Sequence, residues 1–501
     1  MPGRLISYLV NSIFCLLYRK EYERFTDVCD VQKVQTQKLT EILQNNKTCE
    51  YLRQYEFNSM EDFLRTAPLT TYEDYLPYIA RIENGEKNVL TTQDVLLLEP
   101  TSGSASATKL IPYTAGLKAE YQKGLMPWIY DLYSNCKGLR WGKSYWSVTP
   151  MVQERRYTKS GIPIGFEDDA AYFGKLAERL MSLVFAVPNA VAGETSMDAF
   201  YFKTTLALLK CRHLTMISVW NPTFFTLMLD YIDKNKDKLL DALPEKRCAE
   251  LIKPLKEKAF HKIWPNLKLI SCWYDANAYT YAQKLQAIFP NVLMQPKGLL
   301  ATEGFISLPF LGEEGARLSV CSHFFEFLAP GSDKIILAHE LAAGEEYEVI
   351  LTTSGGLYRY RLGDVIKVAG FSGGIPRLKF IGRRDKVSDL FGEKLSELFV
   401  KNLDIQCDFF MLAPETGHYV LYLKADGAPP DVERQLLCNY HYKYCRDLGQ
   451  LGELKVFRLT GNPAQEYLEE CVRRGQKLGD IKPAALSLQG GWDQVFQGEY
   501  V

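Results

Sequence analysis

No apolar run in this 501-residue chain reaches the length of a bilayer-spanning helix. No C-x-x-C pair occurs, and no Cys/His grouping has zinc-ligand spacing. The 12 cysteines, at 15, 29, 49, 136, 211, 248, 272, 321, 407, 438, 445 and 471, are scattered. That usage points to a reducing cytoplasm and argues against a disulfide framework. The 6 histidines are equally dispersed, so a metal held by protein ligands alone is not expected, and no Ser/His/Asp or Cys/His nucleophile grouping emerges. Neither sign of charge prevails: 59 Lys and Arg stand against 60 Asp and Glu, for a net charge of -1. Without a basic excess, neither nucleic acid nor an anionic membrane is an expected partner. Internal repeats, low-complexity tracts and a Walker A loop are also missing, the last because Thr108 precedes Lys109 and Leu110 follows it.

What is present is the composition of a globular protein, 47% hydrophobic and 24% charged, long enough for two or three domains. The apolar stretch Leu5–Tyr18 superficially resembles a signal peptide. It contains Asn11, however, and runs into Arg19-Lys20-Glu21 with no small-residue cleavage site. A helix docked on the main body is the expectation. From Val95 to about Pro309 the pattern alternates: helix 199–209, strand 214–220, helix 222–240, strand 267–273, helix 276–288, strand 292–295. After Leu318 it turns to strands, at 347–353, 358–361, 365–371 and 378–381. Beyond a charged junction at Gly382–Lys386, a compact α+β unit of about 110 residues is expected. The fold class is therefore α/β: a large N-terminal domain, 1–382, with β-sheets flanked by helices, and a smaller C-terminal domain, 386–501, with a hinge near 382–386.

Five short segments carry chemistry. Thr101-Ser102-Gly103-Ser104-Ala105-Ser106-Ala107-Thr108-Lys109 follows the apolar run Val95–Leu98 and crowds hydroxyls, amides and one lysine into a single loop, which suits a polyphosphate. Gly103 permits the tight backbone, and Lys109 adds a compact positive charge. Thr302-Glu303-Gly304 lies past a strand's C-terminal end, where open α/β sheets bind ligands; its carboxylate could hold magnesium together with phosphates. Tyr360-Arg361-Leu362-Gly363-Asp364 reads as a tight turn between two β runs, with Asp364 able to accept both hydroxyls of a ribose and Tyr360 able to flank a base. Gly382-Arg383-Arg384-Asp385-Lys386 with Gly392-Glu393-Lys394, and Gly479-Asp480-Ile481-Lys482-Pro483, complete the set. Alone, each has a plain structural reading: a Ser/Ala surface loop, a helix cap, an Arg–Asp hairpin, a solvated lysine.

In this order and spacing the segments resemble the adenylate-forming superfamily. Within it the chain is similar to the GH-three, auxin-responsive family of acyl-acid amido synthetases of plants and bacteria, in a bacterial-type form. Leu110-Ile111-Pro112-Tyr113-Thr114 continues the loop as in that family, and Thr70-Thr71-Tyr72-Glu73-Asp74-Tyr75 resembles its N-terminal region. The resemblance implies ATP and Mg2+ as cofactors. Thr101, Ser102, Gly103, Ser104 and Lys109 would hold phosphates, with Thr302 and Gly304 beside them and Glu303 on the metal. Tyr360 and Asp364 would bind the nucleoside, and Arg383 and Lys394 would approach the ribose or α-phosphate. Asp385 falls at the hinge of a mobile C-terminal domain, and Lys482 enters for adenylation, so that Lys482, Glu303 and Lys394 are the expected catalytic residues. The loop departs from the commoner family form, which carries further glycine where Ala105-Ser106-Ala107 stand.

The implied reaction converts a carboxylic acid and ATP into an acyl-adenylate and pyrophosphate, then passes the acyl group to an amine or amino acid, releasing AMP. An acyl-CoA ligase or stand-alone adenylating enzyme shares the first step, and a non-catalytic nucleotide-binding protein could share the fold. The acid pocket falls among segments 116–133, 149–166, 214–220 and Trp273-Tyr274. Where plant enzymes often place an arginine on the helix after the phosphate loop, this chain offers Lys118 and Lys123.

Overall fold

The computed structural model describes residues 2–100, 109–147, 156–165, 175–194, 196–275, 278–329, 332–383, 387–388, 390, 393, 395–425, 427, 431–447, 451–476 and 478–501. The chain opens with helices Pro2–Thr26 and Val31–Asn46, the second capped by Asp30, whose side chain accepts from the Lys33 amide. The first helix buries Val10, Phe14 and Tyr18 against Val184 and is pinned where Asn11 Nδ2 donates to the carbonyls of Arg140 (3.0 Å) and Gly142 (3.2 Å). It is thus a docked helix, as its sequence implies. No helix among the described residues is long and apolar enough to cross a membrane.

Two layers carry the site. One is a four-stranded parallel sheet, Lys143–Trp146, Leu214–Ser218, Leu269–Cys272 and Leu293–Pro296, whose spatial order follows chain order. Its middle strands are buried along their whole length, as helix-covered parallel strands must be. The other is a seven-stranded antiparallel sheet running Ser307–Pro309, Ala316–Leu318, Ile375–Arg383, Tyr360–Ser372, Glu346–Thr352, Phe324–Leu328, Ile335–Leu337. An antiparallel pair, Leu97–Pro100 against Leu110–Tyr113, brackets the hydroxyl-rich segment, and helix Ala115–Asn135 follows it under a Thr114 cap. In the C-terminal unit, strands Phe409–Glu415, His418–Lys424, Lys455–Leu459 and Gly498–Tyr500 form one sheet. Its Phe409, Met411, Phe457 and Trp492 share a continuous core with Leu214, Ile217, Phe225 and Leu285 of the parallel layer.

Several expected elements change on folding. Segments 358–361 and 365–371 are not two strands about a turn but one strand, Tyr360–Ser372. Its pairing with Glu346–Thr352 shifts register between Glu348 and Ile350, opposite Gly363, which sits at φ 78°. A bulge absorbs the extra residues there, and its glycine mimics a turn signal in sequence. The expected helix 222–240 breaks at Asn235 into Pro222–Lys234 and Lys236–Asp241. In the C-terminal unit, Val432–Leu436 and Tyr440–Asp447 are two separate short helices.

Candidate functional site

Tyr72 anchors the base of the hydroxyl-rich loop. Its hydroxyl accepts the Leu110 amide at 2.7 Å, and Lys109 Nζ stands 5.5 Å from its ring centre. Burial pushes the Tyr72 phenol upward, and the carboxylates of Glu83, Glu303 and Glu73 add to the shift. Thr101, Ser102, Gly103 and Ser104 lie outside the described residues. Glu303 itself is not on a surface loop: Thr302 and Glu303 are the two-residue turn between strands Leu300–Ala301 and Gly304–Phe305, and Glu303 is buried.

That turn is held from beneath. Thr302's carbonyl accepts from Tyr113 (2.7 Å) and Tyr121 (2.8 Å), and Tyr121 also reaches the Ala301 carbonyl. His323 Nε2 accepts the Phe305 amide at 2.9 Å, so its proton resides on Nδ1, 3.0 Å from Glu120. Glu120 takes two further bonds from Ser354, at its amide (3.0 Å) and hydroxyl (2.6 Å). Gly304 permits this closeness, because a Cβ there would meet His323 Nε2 at 3.2 Å and Leu351 at 2.8 Å. Sequence reading missed Glu120, Tyr121 and His323. The available signal was a carboxylate, Glu120, set among the buried positions Leu117, Tyr121 and Gly124 of one helix.

On the long strand, Asp364 is buried and pairs in register with Arg383. Tyr360 is buried too, its ring 6.1 Å from Tyr75, and its backbone bridges to Thr70. The Tyr360 ring therefore packs in the core. The approach to this strand is braced by Arg359, a non-glycine residue at φ 49° fixed by a bidentate pair with buried Glu326 and by the carbonyls of Leu64 and Ala67. Arg361 pairs with Glu348 on the neighbouring strand. Lys394 and Asp385 fall outside the described residues, as does the Arg383 side chain.

The last segment is brought far from its place in sequence. Asn221 caps helix Pro222–Lys234 and donates from Nδ2 to the Ile481 carbonyl at 2.9 Å. The next residue, Lys482, thereby rests over Trp273, 4.9 Å from the ring centre, and 5.7 Å from that of Phe380. Trp273 directly follows strand Leu269–Cys272, and Phe380 lies three residues before Arg383. The Phe380 amide donates to Asp275, whose carboxyl is pushed up by burial. Lys482 is thus set at the C-terminal edge of the parallel sheet, beside the strand that pairs with Asp364.

The edges of two sheets and a loop of the C-terminal unit thus bring Lys482, Trp273 and Phe380 together in an α/β chain. Residues 19–262 match the GH3 family N-terminal domain and residues 317–383 the GH3 family central domain. The chain belongs to the GH3 family. It is 25% identical to the indole-3-acetic acid-amido synthetase GH3.10 of Arabidopsis thaliana, over 90% of this chain and 91% of that protein. It is 24% identical to the jasmonoyl–L-amino acid synthetase JAR4 of Nicotiana attenuata, over 87% and 86% respectively. The solved structure of the AtGH3.15 acyl acid amido synthetase in complex with 2,4-DB superposes with a TM-score of 0.78 at 20% identity, covering 96% of this chain and 95% of that one, which shows a shared fold.

Proposed function

We propose that this protein is an ATP- and magnesium-dependent acyl-acid amido synthetase, joining a small carboxylic acid to an amine or amino acid through an acyl-adenylate, in the cytoplasm. The observation that carries the reading is Lys482, delivered by the C-terminal unit to the sheet edge beside the Asp364–Arg383 strand pair.

A carboxylate is a poor electrophile because its leaving group would be oxide. Attack of its oxygen on the α-phosphorus of ATP displaces pyrophosphate and leaves a mixed anhydride. The Thr101–Lys109 loop holds the phosphates, Asp364 accepts the ribose hydroxyls, and Arg383 and Lys394 flank the α-phosphate. Lys482 neutralises charge that builds on the phosphate oxygens during attack. Among the described residues no group of three or more His, Cys, Asp or Glu could hold a metal. A single buried carboxylate, Glu303, fits magnesium, which takes one or two protein oxygens and shares the phosphates. When bound, the ion supplies Lewis-acid stabilisation of the leaving pyrophosphate. The rigid seat of the Thr302–Glu303 turn on Tyr113 and Tyr121 fixes that carboxylate. In the second step an amine attacks the acyl carbon, forming the amide and expelling AMP. Rotation of the C-terminal domain about residues 382–386 withdraws Lys482 to admit the amine.

The test is product analysis. The purified protein, ATP, magnesium and a panel of carboxylic acids and amino acids are incubated and examined by mass spectrometry. The reading requires an amide in amounts matching AMP. ADP and phosphate as products, or a thioester formed only with coenzyme A, would overturn it.

A further inference from the structure

A second lysine at the same sheet edge has no part in the scheme above. Lys297 follows strand Leu293–Pro296, and its amine is enclosed by three indoles drawn from separate elements: Trp220 at 4.5 Å, Trp128 at 5.1 Å and Trp146 at 5.8 Å from the ring centres. Its polar partner among the described residues is the Ser218 hydroxyl, at 2.8 Å. Among the described residues the Cys272 thiol is the titratable neighbour acting on it, and burial pushes that thiol up to about 12, so it stays uncharged at neutral pH. Burial holds the Lys297 amine down at about 7.

The surroundings are built to be polar on one face. Cross-strand register aligns Trp146, Ser218, Ser271 and Gln295 in a row over the four parallel strands. Gln295 accepts from Trp128 Nε1 at 3.2 Å, whereas the fully buried Ser271 hydroxyl has no partner among the described residues. Among the described residues the amine meets one hydrogen-bonding side chain, beside an unmatched hydroxyl, and an anion placed there would both complete its bonds and hold it protonated.

From Lys297 the aromatic surface continues outward. Trp220 lies 6.1 Å from Trp273, and Lys482 covers Trp273. Two lysine amines thus flank a pair of indoles, the inner one buried and the outer one on the C-terminal unit's loop. We infer that Lys297, with Ser218 and Ser271, forms the inner end of the acid-binding site, and that the acid is a dicarboxylate with a flat or unsaturated middle. Its outer carboxylate reacts near Lys482, and its inner carboxylate pairs with Lys297 while the indoles hold the spacer. This rests on the amido-synthetase reading.

The experiment measures pyrophosphate release with matched acids: benzoate against terephthalate, and cinnamate against 4-carboxycinnamate. The wild-type protein should favour the diacid of at least one pair by about tenfold or more in kcat/KM, as a buried charge pair permits. Lys297→Met should bring that ratio to about one, and so should Lys297→Gln, which retains a hydrogen-bonding group but not the charge. Preference for the monoacid in every pair, or a diacid preference that survives both substitutions, overturns the inference. Should no acid release pyrophosphate, the synthetase reading fails separately and binding decides: terephthalate should quench tryptophan fluorescence in the wild-type protein and not in Lys297→Met. Equal or absent quenching in both overturns the anion site.

Discussion

Burial sets the chemistry of the individual residues. Glu303 and Asp364 are both enclosed, so each substitution has a structural component, and nearly isosteric changes separate it from function. Glu303→Gln should raise the magnesium concentration needed for half-maximal pyrophosphate release, with little change in folding. An unchanged magnesium dependence would make Glu303 structural. Asp364→Asn should weaken ATP binding by about 1.5–3 kcal/mol, the worth of charge-assisted bonds to a ribose, as read by calorimetry. Lys297 gives a prediction in pH. Its amine titrates near 7 in the folded protein, whereas the unfolded chain keeps its proton to about 10.4. Between those values the unfolded state binds more protons, so this group makes stability rise with pH, and its cost is full below about pH 7. Lys297→Met should therefore stabilise the protein by on the order of 4 kcal/mol near pH 6, with the gain fading toward pH 10, in urea unfolding followed at both pH values. Legibility differed among these residues for a physical reason. Glu303 and Asp364 sit in short motifs whose composition betrays them, but a lysine before a glycine reads as solvated. Only the convergence of three distant tryptophans reveals Lys297 as caged.

At the level of elements, the carboxylate turn depends on how closely helix Ala115–Asn135 approaches it. Gly124 makes that approach possible: a Cβ there would stand 2.5 Å from the Phe305 ring, on the strand leaving Glu303. Gly124→Ala should cost about 1–3 kcal/mol in denaturant unfolding, as overpacking does, and lower the adenylation rate by displacing the turn. Full activity with unchanged stability would show that the turn is not seated on this helix. The N-terminal helix has its own pin. Asn11→Leu leaves the carbonyls of Arg140 and Gly142 without that donor and should destabilise the fold by about 1–3 kcal/mol, measured by the urea midpoint. Helices and buried parallel strands were legible because 3.6-residue periodicity and unbroken apolar runs are local signals. The bulge at Gly363 was not. A glycine with polar neighbours signals a turn, and only pairing with Glu346–Thr352 decides that the chain continues straight.

For the whole molecule, the arrangement of units is the claim. The C-terminal unit shares a core with the parallel sheet, and Asn221 fixes the lysine loop through Ile481. A lysine used in one half-reaction must show separable effects: Lys482→Ala should slow acyl-adenylate formation by about 10²-fold or more and leave amine attack on a supplied acyl-adenylate far less affected. The family resemblance implied a lysine delivered from a second unit, but not its resting place on Trp273, since residues more than 200 positions apart share no local signal. The most direct measurement of the central claim is isotope exchange between labelled pyrophosphate and ATP. The account predicts exchange that requires both magnesium and a carboxylic acid, proceeds without any amine, and is lost in Lys482→Ala. Exchange independent of acid, or none with any acid while ATP is still cleaved to ADP, would contradict it.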